Sequence, residues 1–258
     1  FRSINSNLVK KLPRRIKFLV GLYLLAKELF KNKNNLVLSF QANIYCIYLC
    51  KLMNSKVIIR SNTSPTNWSK NIIKNFIYKN ALNISDGVIV NSYEFKNLIK
   101  KKFNVNSSCI YNPLNRKEIL RKSKVRIKFN FFKKNTYNFI NVARFDDQKD
   151  HMTLLKGFLK LKNEFNFKLL LIGTGNKENY IKNFINVNNL NKFVKVKNNI
   201  TNPFPYILKS NYFVLTSIYE GLPNVLLEAI TLKKYIISSD CPTGPKEILY
   251  YGKGGSLF

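Results

Sequence analysis

Residues 211–230 read NYFVLTSIYEGLPNVLLEAI, which predicts a strand, a turn and a helix in immediate succession. NYFVLTS is a short apolar run of good strand formers, and Gly-Leu-Pro-Asn follows it as a turn. Pro223 has the fixed φ that suits the first turn of a helix, so the helix should begin at about Asn224. A strand that leads through a turn into a helix is the repeating unit of α/β proteins. This stretch therefore predicts a parallel sheet covered by helices.

The same alternation extends outward along the chain in two series. A charged stretch with little periodicity, residues 115–135, separates them. We therefore predict an α/β protein with two Rossmann-like domains that face a cleft, residues 1–123 and 124–258. Ligands of such sheets bind at the carboxyl ends of the strands. The apolar strand segments are 34–40, 56–62, 86–92 and 109–113 in the first series, and 137–144, 167–175, 192–199, 211–217 and 234–240 in the second.

The charge of the chain is strongly positive, with 44 basic and 13 acidic residues among 258 and a formal net charge of +31. One interpretation is a polyanionic partner, such as nucleic acid, an anionic membrane surface or a phosphorylated small molecule. The other is compositional drift, since Lys, Asn, Ile, Phe and Tyr are abundant together. The lysines are scattered and form no long basic arm, so composition alone leaves both interpretations open.

The cysteines and the apolar segments limit the class of protein. Cys46, Cys50, Cys109 and Cys241 form no CxxC pair and no Cys/His metal spacing, which predicts a reducing compartment without a disulfide framework. No apolar run reaches the roughly 18 residues of a membrane-spanning helix. Residues 16–30 predict a basic amphipathic helix, which is either a core helix or a helix on a membrane surface.

Two cations and two glycines follow the strands of the second series. Arg144 and Lys149 come just after a strand, where a guanidinium fork and an ammonium point charge suit a diphosphate. A solvated basic loop is the alternative. Gly173 and Gly175 end the next strand, and glycine there lets backbone approach a ligand closely. The third glycine of the dinucleotide fingerprint is absent.

The predicted helix start near Pro223 is a candidate anion site. Its first backbone N–H groups, at Asn224, Val225 and Leu226, lack partners within the helix, and phosphate is a natural occupant of such a position. The turn Thr243-Gly244-Pro245 follows the next strand and should add another wall to the same site.

Two glutamates flank that anion site, Glu220 before it and Glu228 about one turn inside the helix. Carboxylates repel phosphate, so these two should be aimed past it at hydroxyl groups on either side. The alternative is structural, with Glu220 favouring the helix dipole and Glu228 pairing with Lys233 or Lys234.

Four segments in this order resemble the nucleotide-sugar-binding half of the retaining GT-B glycosyltransferases of family 4. Glu220 and Glu228 match the paired-glutamate motif E-x7-E of that family. The resemblance covers residues 137–258, with weaker likeness before them in VNSYEFKNLI and IYNPLN. It implies the GT-B fold. The segments are NVARFDDQKDHMTLLKGF, KLLLIGTG, SIYEGLPNVLLEAI and SSDCPTGPKEIL.

The resemblance also implies a role for each matched position. Arg144 and Lys149 would hold the donor diphosphate, with the backbone at residues 224–226 in contact with phosphate. Glu228 would bind the ribose hydroxyls and Glu220 the transferred sugar. The reaction implied is transfer of a hexose or N-acetylhexosamine, with retention, from a nucleotide diphosphate sugar, with UDP favoured.

The partners implied are the nucleotide sugar donor and a glycan or polyprenyl-diphosphate-linked acceptor at the cytoplasmic face of a membrane, with an anionic membrane surface as a further partner. No metal or other cofactor is expected, since no Asp-x-Asp motif is present. The only histidine, His151, is expected to be structural, so a donor phosphate oxygen would take the acceptor proton.

The family pattern extends beyond both ends of the chain. Its first strand and Gly-rich loop have no counterpart before residue 34, and it continues past residue 258. We therefore expect a piece truncated at both ends with an incomplete N-terminal domain. The alternatives are an inactive remnant that binds nucleotide sugars without transfer, and a nucleic-acid-binding protein. The latter lacks a basic-aromatic reading motif, so no nucleic acid partner is expected.

Overall fold

The computed structural model describes residues 13–32, 35–40, 43–62 and 71–258. They form two compact units, divided between Ile110 and Tyr111. Every strand pairing within these ranges is parallel, as the alternation of strands and helices predicts.

The first unit is a four-stranded sheet with helices, in the order β1-β2-β3-β4. Helix α2 packs between α1 and α3. Phe95, Ile99 and Phe103 repeat every four residues along α4 and bury its inner face. The elements are α1 (Arg14–Lys31), β1 (Leu36–Ser39), α2 (Asn43–Leu52), β2 (Lys56–Ser61), α3 (Ile72–Ile84), β3 (Gly87–Val90), α4 (Tyr93–Phe103) and β4 (Ser108–Cys109).

The second unit has a six-stranded sheet in the order β10-β9-β8-β5-β6-β7. Its elements are α5 (Arg116–Ser123), β5 (Tyr137–Val142), a 3₁₀ turn (Asp147–Lys149), α6 (His151–Leu161), β6 (Phe167–Ile172), α7 (Glu178–Val187), β7 (Val194–Lys197), α8 (Phe204–Lys209), β8 (Tyr212–Leu215), α9 (Asn224–Thr231), β9 (Tyr235–Ser238), α10 (Pro245–Ile248) and β10 (Ser256–Leu257).

The strand β5 lies at the point where the winding of this sheet reverses. From β5 the chain adds β6 and β7 on one side, and it then returns to place β8, β9 and β10 on the other. The ends of β5 and β8 therefore border a crevice, because their crossover helices lie on opposite faces. In open α/β sheets, ligands bind in this crevice at the carboxyl ends of the strands.

The sheet of the second unit is buried on both faces, which explains its continuous apolar strands. Along β6, Leu170 and Ile172 join one apolar cluster, whereas Leu169 and Leu171 join the other. Each fully buried leucine or isoleucine contributes about 1.5–3 kcal/mol through the hydrophobic effect. The ends of the strands thus stand on a rigid base.

Helix α5 lies in a stretch where the sequence showed little periodicity. Asn115 caps it by accepting a hydrogen bond from the backbone N–H of Glu118 at 3.0 Å. The helix packs on α8 and α9, with Ile119 buried in the core of the second unit. It escaped prediction because it is short and basic with few apolar residues. The compact units therefore divide before this helix, whereas the sequence placed the domain boundary after residue 123.

Candidate functional site

The loop after β5 carries Arg144 and Lys149 in two different environments. The side chain of Arg144 is 70% exposed, and its Nη2 lies 3.3 Å from Asp146 Oδ2 and 3.3 Å from Gln148 Oε1. Asp146 also accepts from the backbone N–H of Lys149, which closes the 3₁₀ turn. Arg144 is therefore widely accessible to a ligand, whereas the Lys149 side chain, at 13% exposure, is only partly accessible.

Lys149 forms an ion pair with Glu220, from the loop after β8. The carboxyl side chain is only 8% exposed. The two residues are 71 positions apart, and they meet because both loops leave the sheet at the crevice between β5 and β8. The roles predicted for the two residues from the sequence were separate and did not include this contact.

The loops after β5 and β8 are joined by further hydrogen bonds. The backbone N–H of Ile218 donates to Gln148 O at 2.8 Å, and Gln148 Nε2 donates to Tyr219 O at 2.8 Å. Thr216 Oγ1 lies 3.0 Å from the carbonyl oxygen of Lys149. Gln148 holds this junction, although no role was predicted for it from the sequence. Its place in the quoted loop RFDDQKD was the only available signal.

A third loop, after β9, supports Glu220 from the other side. Thr243 Oγ1 donates to the carbonyl oxygen of Glu220 at 2.6 Å, and the backbone N–H of Glu220 donates to Pro242 O at 3.4 Å. Gly244 has φ +92°, and a Cβ there would lie 2.3 Å from Gly221 O. Only glycine fits this position. The predicted Thr-Gly-Pro turn thus packs directly on the glutamate loop.

The start of helix α9 has no side-chain cap, because Pro223 occupies the cap position and no acidic residue lies in the first turn. Asn224 Oδ1 instead accepts from Asn112 Nδ2 at 2.7 Å. The side chains of Val225 and Leu226 pack in the core of the second unit. The backbone N–H of Leu226 donates to Pro223 O at 3.0 Å, so the helix start offers a ligand mainly the N–H groups of Asn224 and Val225. A helix start of this kind can bind an anion through its N–H groups.

Glu228 is half-buried on α9, and burial raises the pKa of its carboxyl group. In the part of the chain that the structure describes, this carboxylate has no hydrogen-bond or ion-pair partner. The alternative prediction was an ion pair between Glu228 and Lys233 or Lys234. For Lys234 it is wrong, because its Nζ donates to Leu208 O and Ser210 O instead. No such pair forms with the first lysine either among the described contacts.

Gly173 and Gly175 allow the protein's own loops to approach each other. A Cβ on Gly173 would lie 1.9 Å from Ala143 O, and one on Gly175 would lie 2.2 Å from Phe145 O. The two glycines therefore hold the end of β6 against the loop that carries Arg144. Their direct contact with a donor stays a prediction.

Replacing Gly173 with alanine should destabilise the protein by about 1–3 kcal/mol or more, because the new methyl group would overlap backbone that cannot move freely. Gly157 is a matched control, since nothing lies within 4 Å of a Cβ built on it in the interior of α6. Gly157→Ala should stabilise by about 0.5–1 kcal/mol. Urea unfolding of both variants measures the difference, and changes of equal sign would contradict the packing described here.

His151 begins α6 and is buried, with 3% of its surface exposed. Its Nε2 lies 3.1 Å from Asn141 Oδ1. Asn141 Nδ2 donates to Val214 O, so its Oδ1 must accept and the histidine Nε2 must carry the proton. Burial lowers the pKa of His151 to about 4. These contacts support the structural role expected for this residue.

Stability should fall as pH is lowered from about 6.5 to about 4, since the unfolded chain binds a proton on His151 in this range and the folded chain does not. The loss for this one group is on the order of 3 kcal/mol. A His151→Gln variant should lack this part of the slope. Urea unfolding at pH 7 and pH 4 compares the two, and identical slopes would contradict a buried neutral histidine.

Metal-binding groups do not cluster in residues 13–32, 35–40, 43–62 and 71–258. No group of three or more His, Cys, Asp or Glu side chains there could hold a metal ion. Chemistry without a metal stays a prediction from the sequence.

Comparison with known proteins gives a family match over the second unit. Residues 123–258 match the family described as Glycosyl transferases group 1. An uncharacterized glycosyltransferase of Methanocaldococcus jannaschii is 31% identical over 229 residues, which are 79% of this chain and 56% of that protein. The capsular polysaccharide biosynthesis glycosyltransferase CapH of Staphylococcus aureus is 37% identical over 130 residues, 49% of this chain and 36% of its own.

A Campylobacter jejuni protein is 28% identical over 109 residues, 42% of this chain and 29% of its own. Its name is N-acetylgalactosamine-N,N'-diacetylbacillosaminyl-diphospho-undecaprenol 4-alpha-N-acetylgalactosaminyltransferase. The chain thus spans about half the length of these relatives, or less.

Among solved structures, Anabaena HepE in complex with UDP is similar, with a TM-score of 0.74 at 16% identity, over 92% of this chain and 67% of that one. This likeness confirms the predicted α/β GT-B fold.

Proposed function

Because this chain belongs to the glycosyl transferases group 1 family, we propose that it transfers a hexose or N-acetylhexosamine from a UDP-linked donor, with retention of configuration. We propose further that it is a family 4 enzyme. The proposed acceptor is a glycan or a lipid-linked glycan of surface polysaccharide or glycoprotein assembly. The proposed location is the cytoplasmic face of the membrane.

The main support for the proposal is the environment of the Glu228 carboxylate. It is half-buried and without a partner among the described residues, and its burial raises its pKa. A desolvated carboxylate is costly unless donors reach it. Ribose hydroxyl groups are such donors, and they would lie beyond a diphosphate at the start of the same helix. Glu228 therefore suits recognition of a nucleoside diphosphate better than a purely structural role.

In this proposal, the other groups of the site bind different parts of the donor. Lys149, Arg144 and the backbone N–H groups of Asn224, Val225 and Leu226 hold the diphosphate. Glu220, fixed by its ion pair with Lys149, faces the transferred sugar.

Catalysis rests on electrostatic stabilisation. As the bond to the sugar breaks, negative charge grows on the departing diphosphate, and Arg144 and Lys149 stabilise it. The lysine has three donors, so it can keep its bond to Glu220 and still donate to phosphate. A donor phosphate oxygen accepts the acceptor's proton, and no cofactor takes part.

Three similar proteins support the proposed substrate classes. Anabaena HepE binds UDP in its crystal structure, and the Campylobacter relative is named as acting on an undecaprenol-linked glycan. The name of the Staphylococcus relative places it in capsular polysaccharide biosynthesis. These properties belong to those proteins, and we extend them to this chain as a proposal.

A thermal-shift titration against UDP, GDP, ADP and free phosphate tests the proposal. Binding to the folded state raises stability by about 2.7 kcal/mol at one hundred times the dissociation constant. A shift with UDP alone supports the donor assignment, and transfer assays then separate an active enzyme from a remnant that only binds. A cooperative melt with no shift for any nucleotide would contradict the proposal. In that case salt-sensitive retention on DNA would favour a nucleic-acid-binding protein.

A further inference from the structure

Helix α1 has two apolar faces, although a helix anchored on one side of a core needs only one. Its inner face carries Leu25 and Leu29, which pack in the core of the first unit, and Leu29 is 1% exposed. Phe18, on the same side, places its ring edge-on to Tyr45 at 5.2 Å. This contact accounts for the predicted core role of residues 16–30.

The outer face of α1, defined as Ile16, Leu19, Tyr23 and Phe30, is apolar and open to solvent. These side chains are 44%, 63%, 66% and 74% exposed. Their spacing of three, four and seven residues places them in one stripe along the helix. Leaving a stripe of large apolar side chains in water is unfavourable, so a partner surface is the simplest reason for it.

Cations border the outer face at both ends. Arg15, Leu19, Tyr23, Lys27 and Lys31 follow one another at intervals of four, so they form a continuous row on the helix surface. Arg15, Lys27 and Lys31 are all exposed. An apolar row that begins and ends in cations suits a surface that is anionic outside and apolar beneath.

The length and charge of α1 favour a position in the plane of such a surface. None of the helices in the described ranges is long and apolar enough to cross a membrane. The only acidic residue of this helix is Glu28, which accepts from Asn32 Nδ2 at 2.9 Å. Interfacial helices combine these features, with apolar side chains in the acyl boundary and lysines among the headgroups.

We propose that the outer face of α1 docks on an anionic phospholipid surface. The evidence for this docking face is the exposure of its apolar side chains and the positive charge of the helix. The biological reason for it rests on the proposed function, since a lipid-linked acceptor would be presented at that same surface.

Co-sedimentation of the full chain with phosphatidylcholine vesicles, with and without phosphatidylglycerol, tests this proposal. The wild-type chain should bind the anionic vesicles and not the neutral ones. Lys27→Gln/Lys31→Gln should weaken binding by roughly twenty-five-fold at low salt, since each basic residue near the surface contributes roughly fivefold. High salt should remove this difference.

The apolar contribution is tested by Leu19→Ser/Phe30→Ser, which should weaken vesicle binding at least roughly tenfold. Val187→Ser/Tyr250→Ser is the matched control, because these residues of the second unit are 71% and 73% exposed. The control variant should bind vesicles like the wild type. Equal losses in both variants would point to nonspecific adhesion and overturn the proposal.

Two other outcomes would also overturn it. Equal binding of neutral vesicles would remove the role of the cations. A concentration-dependent dimer that Leu19→Ser/Phe30→Ser abolishes, without vesicle binding, would make a second copy the occupant of this face. UDP binding measured on the same variants should be unchanged. Its absence already in the wild type would instead count against the proposed function, independently of the vesicle result.

Discussion

Glu228→Gln should weaken UDP binding about a hundredfold while leaving the fold intact. Hydrogen bonds to a charged group contribute roughly 1.5–3 kcal/mol, and the amide loses the charge that strengthens them. The amide keeps the size of the carboxyl group, so no cavity forms on α9. Isothermal titration with UDP measures the loss directly.

The stability of this variant gives an independent readout. Burial raises the pKa of the Glu228 carboxyl group in the folded protein. A carboxyl group with a raised folded pKa is protonated more readily when folded, so stability falls as pH rises through that pKa. At pH 7 the charged form therefore costs stability, and Glu228→Gln should unfold at the same temperature or a higher one.

Glu164→Gln is a matched control, because it removes an exposed carboxylate from the same unit. It should change neither UDP affinity nor melting temperature. Unchanged UDP affinity in Glu228→Gln would contradict the proposal that this residue binds the ribose hydroxyl groups. Lost affinity together with a lower melting temperature would mean that the carboxylate supports the fold instead.

The α/β fold could be predicted from sequence because its cause is local. Strands such as β6 (Phe167–Ile172) are buried on both faces, so they appear as continuous apolar runs between helical segments. Helix α5 shows the limit of this reasoning. Only Ile119 and Ser123 of its eight residues are buried, and a basic surface hides so weak a pattern.

The sequence was enough to nominate residues for the candidate site, whereas it could not predict their contacts. Glu220 and Glu228 were recognised by their spacing around a helix start. The pairing of Glu220 with Lys149 depends on where two strand ends lie in the sheet, which spacing along the chain does not encode. The sequence predicted that Gly173 allows other backbone to come close. Only the structure shows that this backbone is that of Ala143.

Lys149→Ala should destabilise the second unit by about 3 kcal/mol, because it leaves the carboxylate of Glu220 buried without its cation. Both side chains are well shielded from solvent, at 13% and 8% exposure, so solvent cannot replace the lost partner fully. In a unit of this size the melting temperature should fall by roughly 6–12 °C. UDP binding should be lost as well, since the ammonium group is proposed to hold the diphosphate.

The double variant Lys149→Met/Glu220→Gln separates these two losses. Removing both charges leaves no unpaired ion, and such replacements of a buried pair are often close to neutral for stability. The double variant should therefore melt near the wild-type temperature while still failing to bind UDP. A double-mutant cycle over Lys149→Met, Glu220→Gln and the pair gives the coupling energy. If stability stayed low in the double variant, the loss would not come from an unpaired buried charge, because neither charge remains there. If UDP binding returned, the cation would not be a donor ligand, and Arg144 with the start of α9 would have to hold the diphosphate alone.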